Sequence, residues 1–153
     1  MIPQASDNYE IGARHYFSDN VYTNINFFRI DTKNEIFFNP VAFTNENLDG
    51  KTRRDGIEVS LSAEVNKWLT VKGGYTYLDA KVKGGTFKEN HVPNVPKHKA
   101  ALEVISSLGR GFTFVLNGVY IGERPFVSDF SNDFSNQKSY LVLSSKIIYQ
   151  WKS

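Results

Sequence analysis

Histidine is the residue from which a metal site or a catalytic base is most often built, and this chain has three: His15, His91 and His98. None stands two or four residues from another, so no strand or helix face presents a pair. The chain has no cysteine. A zinc site needs three or four ligands in tetrahedral reach, so these histidines are expected to bind no metal. His91, close to Glu89 in what reads as a long loop, is the one best placed to touch a bound ligand. Nucleophilic catalysis finds no Gly-x-Ser-x-Gly elbow. Glycosidase chemistry needs two carboxylates at a defined separation, and Glu10, Glu58, Glu64 and Glu103 are scattered. Gly73-Gly74 and Gly84-Gly85 are not followed by the Lys-Ser/Thr pair of a phosphate loop. No catalytic residue, no cofactor and no enzyme are expected.

Charged residues do recur at a spacing of two. Arg54, Gly56 and Glu58 continue into Ser60 and Ser62, and Glu10 and Arg14 alternate with Asn8, Gly12 and Tyr16. Such spacing puts each set on one face of a β-strand. Charges on a strand face need partners or water. They either pair with strand neighbours and hold register, which is the favoured reading, or meet another body on the polar side. Gly56 is expected to permit close backbone approach or a bulge.

The elements that carry these residues are strands. Period-2 alternation is strong, with Ile57, Val59, Leu61, Ala63 and Val65 set against Glu58, Ser60, Ser62 and Glu64. Leu69, Val71, Gly73, Tyr75 and Tyr77 alternate with Thr70, Lys72, Gly74 and Thr76, and Leu141, Leu143, Ile147, Tyr149 and Trp151 share a further face. Seven strands are expected, at about 8–17, 21–32, 53–65, 69–82, 97–108, 112–124 and 139–151. Strands of ordinary domains average about 5–6 residues, whereas a tilted membrane-crossing strand needs about 9–11. These are of the second kind. Connections alternate strictly between short (18–20, 66–68, 109–111) and long (33–52, 83–96, 125–138). A meander with all its long loops at one end is the pattern of an outer-membrane barrel. Phe17, Trp68, Phe112 and Trp151 fall at the short-turn end, where an aromatic girdle would lie. In the strand 21–32 both faces are apolar, Ile25 and Phe27 against Tyr22 and Phe28, and its orientation stays open.

Composition agrees. Phe, Tyr and Trp number 12, 8 and 2, or 14% of 153 residues. Formal charge is only +2 with both signs interspersed, so no nucleic-acid partner is expected. No apolar run is long enough for a transmembrane helix. Met1-Ile2-Pro3-Gln4 shows no secretory signal, so a barrel reading carries the expectation that the chain begins inside a longer protein.

Five segments, in order, resemble the later part of TonB-dependent outer-membrane receptor barrels. They are SDNYEIGARHYF (6–17), NLDGKTRRDGIEVSLSAEVNKWLTVKGGYTYLDAKV (47–82) with an Arg-x-x-Gly-Ile-Glu pattern, VPNVPKHKAALEV (92–104), GVYIGERPFVSDFSN (118–132) and SYLVLSSKIIYQWK (139–152). The resemblance implies an all-β fold: an antiparallel meander of about seven long strands forming part of a transmembrane β-barrel, with 1–153 a partial barrel domain. It implies a place in the bacterial outer membrane and a role in uptake of siderophore-iron, cobalamin or a similar scarce nutrient. It lacks the family's plug domain and final strands. The implied partners are outer-membrane lipid, a metal chelate, the receptor's own plug and, through the plug, TonB. Glu10, Arg14, Arg54, Gly56 and Glu58 would then face the lumen.

Ligand contact would fall to the long loops, through Phe37, Phe38, Phe43, His91, Phe126, Asp129, Phe130 and Phe134. Aromatics beside amides and carboxylates suit a bulky, polar-rimmed ligand. They suit equally a lid in which the rings pack on one another, and both readings stand. Phe126, Phe130 and Phe134, at a spacing of four, fit one face of a helical turn. The competing fold is a soluble β-sandwich that binds carbohydrate or protein, with the apolar faces turned into a dry core. In it Leu61, Val71 and Leu143 would meet inside.

Overall fold

A computed structural model, which describes residues 1–151, contains strands and turns. Lys152, the end of the resembling segment 139–152, lies outside the described residues. The strands are β1 (Ala5–Ser18), β2 (Val21–Lys33), β3 (Ile36–Asn39), β4 (Thr44–Asn47), β5 (Lys51–Asn66), β6 (Leu69–Val82), β7 (His98–Gly109), β8 (Phe112–Ile121) and β9 (Tyr140–Tyr149). Seven form one antiparallel sheet in the order β1-β2-β5-β6-β7-β8-β9. β3 and β4 form a separate hairpin inside the segment 33–52. That hairpin corrects the expectation of a plain loop there. β8 also stops at Ile121, not at 124: its partner β7 begins at His98, so after the Gly122 N–H bonds to the His98 carbonyl at 2.8 Å no strand residue is left opposite 123 and 124.

The short connections are tight turns. At 109–111 three successive residues take left-handed backbone, Gly109, Arg110 and Gly111, with φ of 81°, 51° and 83°. A side chain at Gly111 would approach the Gln150 carbonyl oxygen to 2.5 Å, so glycine is required there.

Register decides which side chains share a face. Ile57 stands between Phe27 and Tyr77, and Val59 between Ile25 and Tyr75. Glu58 stands between Asn26 and Thr76, and Thr76 is opposite Lys99. The open question about β2 is thereby answered. Ile25 and Phe27 lie on the apolar face, and Tyr22 and Phe28 on the polar one.

Phe28 explains Gly56. The two are paired across β2 and β5 with no register shift, so no bulge is present. A Cβ at Gly56 would fall 2.2 Å from Phe28 Cζ. The far end of the ring covers the bare backbone, the arrangement that shields an otherwise weak strand position. Gly56→Ala is therefore expected to cost about 1–3 kcal/mol, by pushing the ring off its site. In a Phe28→Ala background the same change should be nearly neutral. Urea midpoints of the protein in lipid vesicles, compared over the four-variant cycle, check this.

The sheet is one layer. Ile11, Leu61 and Leu143 on its apolar face are 74%, 43% and 65% exposed, with no second sheet against them among the described residues. Leu61 is opposite Gly73 and Leu143 opposite Gly118, far apart along the sheet, so the sandwich core does not form. Every residue of β1 and of β9 is exposed, and the sheet is an open wall, not a closed barrel. From Ile57 to Val65 the apolar face runs for nine residues. At about 3.3 Å each and a tilt of about 40°, that is a band about 23 Å tall, the height of a barrel's lipid-facing belt.

Candidate functional site

The polar face of the wall is a hydrogen-bonded lattice. Arg14 Nε donates to Asn24 Oδ1 at 2.6 Å, and Asn24 Nδ2 donates to Ser60 Oγ at 2.9 Å. The Arg14 guanidinium also sits 5.2 Å from the centre of the Tyr22 ring. Asn8 Nδ2 donates to a Glu10 carboxylate oxygen at 2.6 Å. Farther across, Asn26, Glu58, Thr76 and Lys99 line an open recess of about 400 Å³. Glu58 and Lys99 form no ion pair with each other, since Thr76 stands between them. The lattice offers donors and acceptors to whatever fills the concave side.

Arg54 is handled differently. Its guanidinium meets Glu35 with two hydrogen bonds, 2.6 and 3.1 Å, and donates to Thr52 Oγ1 at 2.8 Å. Thr52 also bonds to the Glu35 carboxylate and is fully buried. Arg54 thus ties the base of the segment 33–52 to the wall. Glu35 was not visible as a partner in the sequence, because it stands 19 residues away with no spacing signal.

Three long connections, 34–50, 83–97 and 122–139, fold together over the concave side. Leu48, Ala80, Val82, Val92 and Phe130 form a small buried core, with Phe37, Phe87 and Val95 packed against it. Ala80 and Val82 are paired with Arg54 and Thr52 on the polar face, which places this core inside the curve of the wall. Phe130 is 5% exposed, with Phe37 and Phe87 ring centres at 4.9 and 5.8 Å. Side chains then lock the loops to one another. Asn132 accepts from the His91 backbone N–H at 2.7 Å and donates to the His91 carbonyl at 3.1 Å. Asn90 Nδ2 donates to the Phe130 and Ser131 carbonyls.

Of the residues expected to touch a ligand, Phe37 and Phe130 lie in this inter-loop core. Asp129, 6% exposed, accepts from the backbone N–H of Asp133 and of Phe134, each at 3.2 Å, and so shapes its own loop. The helical turn at 126–134 is not formed. Ser128 and Asn132 take φ of 63° and 57°, which breaks any helix, and the carboxylate of Asp129 satisfies the N–H groups a helix would have used. Phe38 and Phe43 meet at 6.4 Å at the tip of the β3–β4 hairpin and are 47% and 83% exposed. Phe126 and Phe134, with Pro40, line a recess of about 310 Å³. His91 is half-buried, with Nδ1 3.9 Å from Asp79. In the same loop Lys83 Nζ donates to both Glu89 carboxylate oxygens, at 3.0 and 3.1 Å, and holds that carboxyl below its usual range. Its small contribution is present at neutral pH and fades only as pH falls through that lowered value.

Above the apolar band the outer face turns ionic. Arg29 pairs with Asp55 at 2.6 Å and Arg53 with Asp31 at 2.7 Å. At the opposite, short-turn end, Phe17, Trp68, Phe112, Tyr149 and Trp151 are exposed, and Phe112 and Tyr149 lie 4.6 Å apart. A band bounded by aromatics below and ion pairs above matches a slab of lipid with its two interfaces.

Comparison with known proteins agrees with this geometry. Residues 3–152 match the family model described as TonB dependent receptor-like, beta-barrel. A probable TonB-dependent siderophore receptor, PiuA of Acinetobacter baumannii, is 30% identical over 116 residues, 65% of this chain and 15% of the relative. A ferrichrome outer membrane transporter and phage receptor of Escherichia coli is 26% identical over 97% of this chain and 20% of its own length. The chain thus spans between 15% and 20% of these relatives. The crystal structure of the ferric-catecholate import receptor Fiu of Escherichia coli superposes with a TM-score of 0.73 at 25% identity, over 99% of this chain and 22% of that one. The ferric yersiniabactin uptake receptor FyuA of Yersinia pestis gives 0.78 at 23% identity over 96% and 22%, a likeness of fold.

Proposed function

The chain belongs to the TonB-dependent receptor-like β-barrel family, and from that premise we propose that it is one stretch of barrel wall, with three outer loops, of a receptor that takes up a ferric siderophore across the bacterial outer membrane. The curated relatives and the Fiu structure are named for iron chelates. This favours an iron chelate over cobalamin. The observation that carries the reading is the interlocked lid: loops 34–50, 83–97 and 122–139 roof a hydrogen-bonding concave wall, while the opposite face is apolar and exposed. A solute held under that roof touches amides, carboxylates and rings, and lipid touches only the far side.

In this reading the rest of the barrel pairs with the open edges of β1 and β9, because unpaired strand edges are untenable in lipid. A plug domain fills the concave side and meets Arg14, Asn26, Glu58 and Lys99. TonB acts on the plug and has no contact with this segment. Residues 1–153 are then a partial barrel domain, without catalytic chemistry of their own. Phe38, Phe43, Phe126, Phe134 and His91 remain the loop groups open to a ligand, and Phe37, Asp129 and Phe130 hold the loops in place.

The experiment is uptake of radioactive iron, as ferric tris-catecholate and ferric tris-hydroxamate complexes, by cells whose only chelate receptor is the full-length protein carrying this segment. Uptake that needs both the receptor and TonB is expected. Uptake that continues without TonB, or no binding of either complex, overturns the reading.

A further inference from the structure

On the convex side of the wall, above Phe27, Ile57 and Tyr77, register stacks three charged rows. Arg29, Asp55 and Asp79 form the lowest, and Asp31, Arg53 and Lys81 the next. Lys33 and Lys51 form the highest, with Lys83 bonded through its backbone N–H to the Lys51 carbonyl at 2.6 Å. In the lower rows each cation has a carboxylate: Arg29 has Asp55, Arg53 holds Asp31 with two hydrogen bonds, and Lys81 lies 3.7 Å from Asp79. In the highest row Lys83 holds Glu89 at 3.0 Å. Lys33 and Lys51 are left. They stand directly opposite each other, both exposed, and neither pairs with a carboxylate among the described residues. Asp7, opposite Asp31 on β1, pairs with neither lysine.

Like charges directly opposite on a sheet destabilise it, so an anion between them is missing. The strands that complete the barrel do not bring it to Lys51. That residue has β2 and β1 on one side and β6 and the paired run 89–92 on the other, all supplied by this chain. The plug fills the opposite face. Height narrows the choice. Lys51 lies six residues above Ile57 on the same strand, about 15 Å along the membrane normal at about 3.3 Å per residue and a tilt of about 40°. The headgroups of an ordinary phospholipid reach only about 5–8 Å beyond the hydrocarbon. Lysine turns its ammonium toward water and away from oil, so the two heads stand above a phospholipid phosphate. They stand at the level of a thick sugar head.

We propose that Lys33 and Lys51 share a phosphate of an outer-leaflet glycolipid, a lipid whose head is a phosphorylated oligosaccharide. Its acyl chains lie on the apolar band, and its sugars cross the partly exposed ion pairs Arg29–Asp55 and Arg53–Asp31, which offer donors and acceptors to hydroxyl groups. Charge complementarity at the lysines and continuity with the lipid-facing band select this occupant. The inference depends on how the wall sits in the membrane and not on what the receptor takes up.

Binding of short-core lipopolysaccharide to the full-length receptor in neutral detergent tests it, with the lipid either intact or stripped of phosphate by hydrofluoric acid. Lys51→Gln is expected to weaken binding of the intact lipid about fivefold, and Lys33→Gln with Lys51→Gln about twenty-five-fold. The stripped lipid should bind wild type and variants alike. In phosphatidylcholine vesicles the double variant should have a urea midpoint equal to or above that of wild type, because a like-charge pair has been removed. Unchanged binding of intact lipid in the double variant overturns the proposal, and so does an equal loss for the stripped lipid. The same loss toward phosphatidylglycerol also overturns it, since the anion would then lie at ordinary headgroup height. A lowered urea midpoint overturns it as well, because the lysines would then serve a carboxylate of the protein such as Asp7. Binding of iron chelates should be the same in all variants, so this outcome and that of the uptake experiment are independent.

Discussion

Phe130→Ala should release all three outer loops at once. The ring is 5% exposed and is the one aromatic that touches both Phe37 of the first loop and Phe87 of the second. Removing a buried phenylalanine costs about 3–5 kcal/mol, since both transfer energy and packing around the cavity are lost. The backbone carbonyl of Phe130 also takes a hydrogen bond from Asn90, and that bond depends on the ring holding the loop down. Limited proteolysis and hydrogen exchange of the full-length receptor should show residues 34–50, 83–97 and 122–139 becoming labile together. The strands should remain protected, because their hydrogen bonds lie in the sheet. Phe134→Ala, four residues on and 68% exposed, should change neither reading. Opening of the third loop alone would mean that the loops are independent.

Leu61→Arg carries the second large effect. Leu61 lies midway along the apolar stretch 57–65, on the face exposed to the outside of the wall. A cation at the bilayer midplane on the lipid face of a barrel costs about 2–4 kcal/mol, falling toward zero near the interfaces. Thr76→Arg is the matched control. Thr76 is on the concave side, between Glu58 and Lys99, where a new guanidinium finds a carboxylate and water. It should cost less than about 1 kcal/mol, in the range of an exposed pair. Urea titrations of the receptor folded into vesicles give both numbers. A gap of about fivefold or more in folding equilibrium separates the two faces, and equal effects would remove the distinction between oil side and water side.

Much of this was legible in the residues, and the physical reason is the period of a strand. Ile57 to Val65 alternate so cleanly that the face follows from that stretch alone, while the topology follows from the alternation of short and long connections. The strand 21–32 did not alternate in this way, and only its register against β5 put Phe28 on the concave side and Ile25 on the other. The β3–β4 hairpin was missed because its strands are only four residues each and are separated by Pro40 and a turn, too short for a periodicity to show. Phe126, Phe130 and Phe134 invited a helical reading from spacing alone. What overrules it is a side chain, Asp129, that caps the loop backbone. The loop core and the Arg54–Glu35 tie join residues far apart in sequence, and no local pattern records them. Gly56 was legible as a special position but not for its cause, which is the ring of a residue 28 positions earlier.

A cysteine scan through 57–65 addresses the wall most directly, since the segment has no cysteine of its own to interfere. Each single-cysteine receptor, folded into vesicles and carrying a fluorescent label, would be exposed in turn to a quencher confined to lipid tails and to one confined to water. Labels at 57, 59, 61, 63 and 65 should be quenched from the lipid, and those at 58, 60, 62 and 64 should not. If the odd positions are instead shielded from both quenchers, they face a dry protein interior, and this chain is not a piece of membrane wall.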